Sequence, residues 1–190
     1  MKTLSSLALL SVLLPTGALA DGLGIEGAAP HASDGAALGL GLSWEVPQLF
    51  GGGLPSSGFA RVRFESGWAI EPRLAYERYS SSVVSPYSDA SNLHLGATLR
   101  APLGRRGDVR LSALGTLAAA SSWTDGEPST AHAGALGWGL GLEYLVGSSL
   151  SIGVDATSDV LAVSVFDGQD THRWGPFLSP RYSLLAAMYF

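Results

Sequence analysis

Hydrophobic and polar residues alternate with a period of two through most of this chain. Successive side chains on a strand point to opposite faces, so the alternation predicts half-buried β-strands rather than helices. Over residues 35–46, Leu38, Leu40, Leu42, Trp44 and Val46 share one face, and Gly35, Ala37, Gly39, Gly41, Ser43 and Glu45 share the other. Residues 47–57 hold three consecutive glycines and predict a loop. A second strand, 58–66, sets Val62 and Phe64 against Arg61, Arg63 and Glu65. Gly67 marks a tight turn. The third strand, 68–78, sets Trp68, Ile70, Leu74 and Tyr76 against Glu71, Arg73, Ala75 and Glu77, and Pro72 inside it predicts a bulge.

A Ser-rich loop to Ala90 precedes a fourth strand, 91–101, with Leu93, Leu95, Ala97 and Leu99 opposite Asn92, His94, Thr98 and Arg100. Residues 102–108 predict a turn. The fifth strand, 109–120, alternates less cleanly, because Leu114 falls on the face of Arg110, Ser112 and Thr116. After a polar loop, 121–130, the sixth strand, 131–146, places Leu136, Trp138, Leu140, Leu142 and Tyr144 against Ala133, Ala135, Gly137, Gly139, Gly141 and Glu143. Its segment G-L-G-L-E-Y-L-V, 139–146, echoes G-L-G-L-S-W-E-V at 39–46, and we read the two as strands with the same job. Gly147 and Ser148 turn the chain into a seventh strand with Leu150, Ile152, Val154 and Ala156 opposite Ser151, Gly153, Asp155 and Thr157. Alternation is poor over 160–166, which leaves strand, loop and an extra hairpin open there. Residues 167–180 predict the last loop. The closing strand, 181–190, has Tyr182, Leu184, Ala186, Met188 and Phe190 on one face and Arg181, Ser183, Leu185, Ala187 and Tyr189 on the other. The fold class is all-β: an eight-stranded antiparallel barrel, ten-stranded if the extra hairpin exists. Short connections at Gly67, Leu103 and Gly147 alternate with long ones after Val46, Tyr79, Ala120 and Ser158, the asymmetry of outer-membrane barrels.

An amphipathic last strand that ends on Phe190 resembles the assembly signal of bacterial outer-membrane β-barrel proteins. The hairpin at 137–156 is similar to the late hairpin of small OmpA- and OmpX-type barrel domains, and E-P-R-L-A-Y at 71–76 has the same character. The resemblance implies a transmembrane barrel whose last strand is read by the outer-membrane assembly machinery. It names no activity.

Composition sharpens this picture. Only 14% of the 190 residues are charged, against about a quarter in an ordinary soluble domain. A net charge of −5 argues against nucleic acid as a partner. With no cysteine there is no disulfide framework, thiolate metal site or thiol nucleophile. Residues 1–20 have the form of a cleaved signal peptide: Lys2, an apolar run from Leu4 to Leu14, Pro15 and Gly17, then Ala18-Leu19-Ala20 before Asp21. Residues 21–34, rich in Gly, Ala and Pro, read as a flexible leader, and 35–190 as the barrel. Beyond Ala20 no apolar run is long enough for a spanning helix, so a membrane protein with this sequence is a barrel.

Period-two alternation does not say which face points inward. Three features put the apolar face in lipid. The polar face is rich in Gly and Ala on the first and sixth strands, which suits a narrow lumen better than a solvated surface. Aromatics on the apolar face gather at strand ends: Phe64, Trp68, Tyr144 and Phe190 toward the inner rim, Trp44, Tyr76 and Tyr182 toward the outer, as expected of two girdles. Export and the Phe190 ending agree. The predicted lumen then holds Glu45, Glu65, Glu71, Glu77, Glu143 and Asp155 together with Arg61, Arg63, Arg73, Arg100, Arg110 and Arg181. An eight-stranded barrel is just wide enough to be filled by side chains, and buried charges must be paired, so a salt-bridged plug is expected.

The sequence offers little catalytic chemistry. His31 and Ser33 lie in the leader, His94 in the lumen, His132 at a strand start and His172 in the last loop, so no triad and no metal-ligand spacing emerges. We expect no enzyme activity, cofactor or metal. The outer loops carry Asp125, Glu127, Asp159, Asp167 and Asp170, with Trp123, Trp174 and Phe177 as aromatic contact candidates. The expected protein is a monomeric outer-membrane barrel with a structural or surface-interaction role, in contact with lipid and lipopolysaccharide. A narrow passive pore is the alternative, and a lipid A-modifying enzyme the third.

Overall fold

The computed structural model describes residues 37–45, 56–81, 88–124, 130–166 and 169–190. They form eight strands: β1 (Ala37–Glu45), β2 (Ser57–Arg63), β3 (Ala69–Ser81), β4 (Ser88–Arg106), β5 (Val109–Thr124), β6 (Thr130–Val146), β7 (Leu150–Phe166) and β8 (Gln169–Tyr189). Each pairs antiparallel with the next, and β1 also pairs with β8, from Gly39 opposite Tyr189 to Glu45 opposite Ser183. The sheet is therefore a closed barrel, the eight-stranded architecture that the alternation predicts. No extra hairpin exists, because residues 160–166 continue β7. The expected signal peptide and leader lie outside the described residues.

Short turns at one end join β2 to β3, β4 to β5 and β6 to β7. Gly67 closes the first of them at φ 83°, a left-handed conformation that glycine adopts without steric cost. Its N–H donates to the Phe64 carbonyl at 2.9 Å, and the Phe64 N–H donates to the Trp68 carbonyl at 2.8 Å. At the opposite end the strands run further than the alternation indicates. β5 reaches Thr124 and β8 begins at Gln169, so the expected loops at 121–130 and 167–180 are shorter; at the turn end β4 continues to Arg106 and shortens the turn expected at 102–108.

Bulges explain part of the difference. Leu136 faces Leu161 while Gly137 faces Asp159, which leaves Val160 as an extra residue in β7. One extra residue inverts the inside–outside phase. Alternation over 160–166 is therefore shifted rather than absent: Asp159 and Ala162 both line the lumen. β8 spends more residues than β7 between Arg181 and Trp174, and Pro176 and Pro180 sit in this irregular stretch. The same device in β4, between Pro102 and Gly104, brings Arg105 to the lumen end. Pro72, by contrast, makes no bulge. The β3 register runs unbroken against β4, with Pro72 opposite Ala97, and is kept with β2 on both sides of it. Pro72 points outward, so its missing N–H costs a ladder bond without a change of phase.

The barrel is inside out. Among the described residues only six hydrophobic side chains are buried, against twelve polar or charged ones, so the interior is polar. Leu38, Leu40, Leu42, Leu74, Leu95, Leu117, Leu136, Leu140, Leu142, Ile152 and Met188 all face outward and are exposed. They follow the strands around the whole barrel. A soluble monomer rarely exposes an apolar patch of more than about a few hundred Å².

Candidate functional site: a charge-filled lumen

Strand parity delivers the charges to one layer. β2 contributes Arg61 and Arg63 two residues apart, β3 Glu71 and Arg73, β4 Arg100, β6 Glu143, β7 Asp155 and β8 Tyr189. Glu71 is wholly buried, at 0% exposure, and sits at the centre. Its Oε1 accepts hydrogen bonds from Nε of both Arg61 and Arg100, and its Oε2 accepts from Arg73 Nη2 at 2.8 Å. Glu143 Oε1 accepts from Arg61 Nη1 and from the Tyr189 hydroxyl at 2.9 Å, and its Oε2 accepts from Arg63 Nη2 at 2.9 Å. Asp155 Oδ2 accepts from Arg100 Nη2 at 2.5 Å and from Arg73 Nη2 at 3.2 Å. Tyr189 Oη accepts in turn from Arg61 and, at 2.6 Å, from Arg63.

Arg61, Arg73 and Arg100 each bridge two carboxylates, and the network ties six strands together across the lumen. Removing charges from water costs several kcal/mol per ion, roughly, and this is recovered only where geometry and hydrogen bonding are nearly complete. The planar guanidinium fork suits that demand. Aromatic faces complete the shell: Arg61 and Arg73 lie 5.3 and 5.4 Å from the centre of the Phe59 ring, and Arg63 lies 4.5 Å from that of Tyr189. Glycines on the opposing walls leave the room. A Cβ on Gly41 would come within 2.6 Å of Phe59 Cε2, and one on Gly141 within 2.7 Å of Asp155 Oδ1. This is the shared job of the two echoing segments. Arg73 Nε and Asp155 Oδ1 are buried without a hydrogen-bond partner among the described residues.

The other sequence candidates divide by depth. Toward the turn end, Arg110 lines a small cavity of about 50 Å³ with Arg63, Arg100, Arg105 and Glu143. Toward the other end, Glu45, Glu77 and His94 line a cavity of about 320 Å³ whose wall includes Arg73, Asp155 and Arg181. Arg181 Nη2 donates to Asp159 Oδ1 at 2.5 Å. Asp159 is thus a buried lumen residue and not part of an acidic loop: it keeps the inward parity of Asp155 and Thr157, ahead of the Val160 bulge. Glu65 is a correction in the other direction: it sits exposed in the β2–β3 turn, since β2 ends at Arg63.

Sequence reasoning missed Phe59, Tyr189, Leu114 and Asp159. Phe59 and Tyr189 share parity with Arg61 and Arg181 and were legible by that signal. Leu114, which interrupts the alternation of β5, is buried in the lumen beside Gly141. With Phe59, Leu185, Ala187 and Tyr189 form a small apolar cluster inside the barrel.

The aromatic candidates fall at two levels. Phe64 and Trp68 flank the β2–β3 turn, and Tyr144 lies near the β6–β7 turn, opposite Val109. The Phe190 N–H donates to the Leu38 carbonyl at 2.9 Å, at the same end. Tyr76 and Tyr182 are exposed nearer the opposite end, and Trp44 there is half-buried. Trp123 is on β5, not in a loop, and its ring packs 6.5 Å from that of Tyr76. Trp174 and Phe177 are on β8, and Trp174 is 76% exposed. Asp125 lies outside the described residues.

A closed antiparallel barrel with an apolar exterior and an ion-paired interior defines the class: an inside-out eight-stranded barrel. No protein-family model matches the chain, and no curated protein matches it significantly. Among solved structures it is similar to Ail, the attachment invasion locus protein of Yersinia pestis, in complex with the heparin analogue sucrose octasulfate: 16% identity, TM-score 0.43, over 81% of this chain and 94% of that one. A second structure of Ail matches at 16% identity and TM-score 0.37, over 81% and 93%.

Proposed function

We propose that this protein is a monomeric bacterial outer-membrane barrel, exported by a signal peptide that is cleaved after Ala20, and that it acts as a rigid surface scaffold rather than as a channel. The buried ion-pair network carries this reading. It closes the lumen at mid-height, and a lipid environment is the one that accepts an apolar exterior. Phe64, Trp68, Tyr144 and Phe190 then mark the periplasmic interface, and Trp44, Tyr76 and Tyr182 the outer one. The outer ends of β5 and β8, which carry Trp123 and Trp174, rise past the level at which β1 ends and β2 begins and form the contact surface. The exposed Trp174 carries the adhesive role. No reaction is assigned.

Planar-bilayer recording of the refolded full chain tests the plug. The expected result is a silent bilayer with insertion verified separately by protease protection. Stable, reproducible current steps would establish the narrow pore instead. Exchange of Trp174 for Ala in a host-surface binding assay tests the contact role, with loss of binding and an intact barrel as the expected outcome.

A further inference from the structure

The turn end of the lumen collects guanidinium groups. Between Pro102 and Gly104 the β4 register slips by one residue against β5, so Leu103 is an extra residue and the inward positions of β4 change from even to odd numbers. Arg100 is inward ahead of the bulge and Arg105 after it. Arg105 then stands directly opposite Arg110 in the β4–β5 ladder, and both line the same cavity. Like charges in directly opposed positions destabilise a sheet, so this pair calls for negative charge close by.

Arg63 and Arg100 reach the same space, which sets four guanidiniums on its wall against one carboxylate, that of Glu143, among the described residues. Glu143 already accepts from Arg61, Arg63 and the Tyr189 hydroxyl. Arg105 Nε donates to the Gly107 carbonyl at 2.7 Å, which fixes its guanidinium at the mouth. A guanidinium carries five N–H donors, so an arginine bound elsewhere still has donors to offer. Glu65, Arg106 and Asp108 are exposed on the turns, where water and salt screen them. The cavity measures about 50 Å³. A single water needs roughly 10–15 Å³ of such space, so there is room for about four oxygen-sized atoms, the number in a tetrahedral oxyanion.

We propose that this mouth binds one phosphate group, held by Arg105 and Arg110 and bounded by Arg63 and Arg100. The planar guanidinium fork matches two phosphate oxygens at once, and the anion offsets the repulsion of the opposed pair. The group comes from the free ion or from a lipid headgroup at the same rim. This site goes beyond the scaffold reading and shares only its orientation, with the short turns on the periplasmic side.

Calorimetric titration of the full chain, refolded in an uncharged detergent at low salt, with inorganic phosphate tests this. Expected is saturable one-to-one binding in the micromolar-to-millimolar range. Arg105→Gln and Arg110→Gln should each weaken it tenfold or more. Arg106→Gln, on the exposed rim outside the cavity, should leave the affinity within twofold. Ser112→Leu, which fills the cavity and keeps every charge, should abolish binding. Heat-modifiable gel mobility confirms that each variant is folded. Short-chain phosphatidylglycerol separates the two sources: competition with inorganic phosphate assigns a headgroup and its absence the free ion, and saturable phosphate binding upholds the site in both cases. Absence of saturable binding to the wild type, undiminished binding by folded Ser112→Leu, or a loss in Arg106→Gln as large as that in Arg110→Gln overturns the proposal, and a silent bilayer still upholds the scaffold reading in each case.

Discussion

Glu71→Gln is the sharpest test of the plug. Three arginines donate to the Glu71 carboxylate, and no part of it reaches solvent. A hydrogen bond to a charged group is worth about 1.5–3 kcal/mol, and removal of one partner from a buried ion pair costs about 3–5 kcal/mol. The glutamine keeps one oxygen acceptor but turns an amide N–H₂ toward guanidinium donors, while among the described residues the four arginines Arg61, Arg63, Arg73 and Arg100 retain only Glu143 and Asp155 as ion-pair partners. We therefore expect a loss of about 3 kcal/mol, roughly 150-fold in the folding equilibrium. Urea titration of the protein refolded into lipid vesicles, read by tryptophan fluorescence and gel mobility, should show a midpoint lower by about 1–3 M at an unchanged slope. The double variant Glu71→Gln with Arg100→Gln removes a charge of each sign, and should cost less than the two singles together by at least about 1 kcal/mol. A folded Glu71→Gln barrel within about 0.5 kcal/mol of wild type refutes the argument that the network holds the lumen together.

Four further outcomes follow from the same geometry. Leu140→Arg places a charge on the outward face of β6 and should destabilise the vesicle-inserted barrel by about 2–4 kcal/mol in urea titration, whereas a barrel that faces water there would tolerate it. Gly41→Val should cost about 1–3 kcal/mol, because its Cβ meets the Phe59 ring. Gly58→Val, where a Cβ has nothing within 4 Å, should change stability by less than about 0.5 kcal/mol in the same assay. Trp138→Phe removes the indole N–H donated to the Pro176 carbonyl at 3.0 Å and should weaken the irregular stretch of β8 by about 1 kcal/mol, seen as faster amide exchange over 175–180.

Much of this molecule is legible along the chain because a barrel is a local pattern repeated. Parity alone assigned Leu38, Leu40 and Leu42 to the outside and Arg61, Glu71, Arg100 and Glu143 to the inside, since a residue's face depends only on its place in its own strand. Gly67 and Gly147 announced their turns for an equally local reason. What parity cannot carry is a phase change or a partner. The Val160 bulge is defined by a mismatch with β6 and β8, and it blurs the alternation over 160–166; Asp159, which keeps the inward parity of Asp155, read as a loop acid only because the strand was not seen to continue past it to meet Arg181. Loop lengths were overestimated where backbone pairing continues past the clean alternation, because hydrogen bonds between strands do not need an amphipathic pattern. Closure of the sheet put β8 beside β1 and Tyr189 among Arg61, Arg63 and Glu143, residues 46 to 128 positions away in sequence. The residues themselves determined the strands and their polarity. Only the closed barrel decided which charges meet, because a salt bridge depends on distances in space that no spacing along the chain encodes.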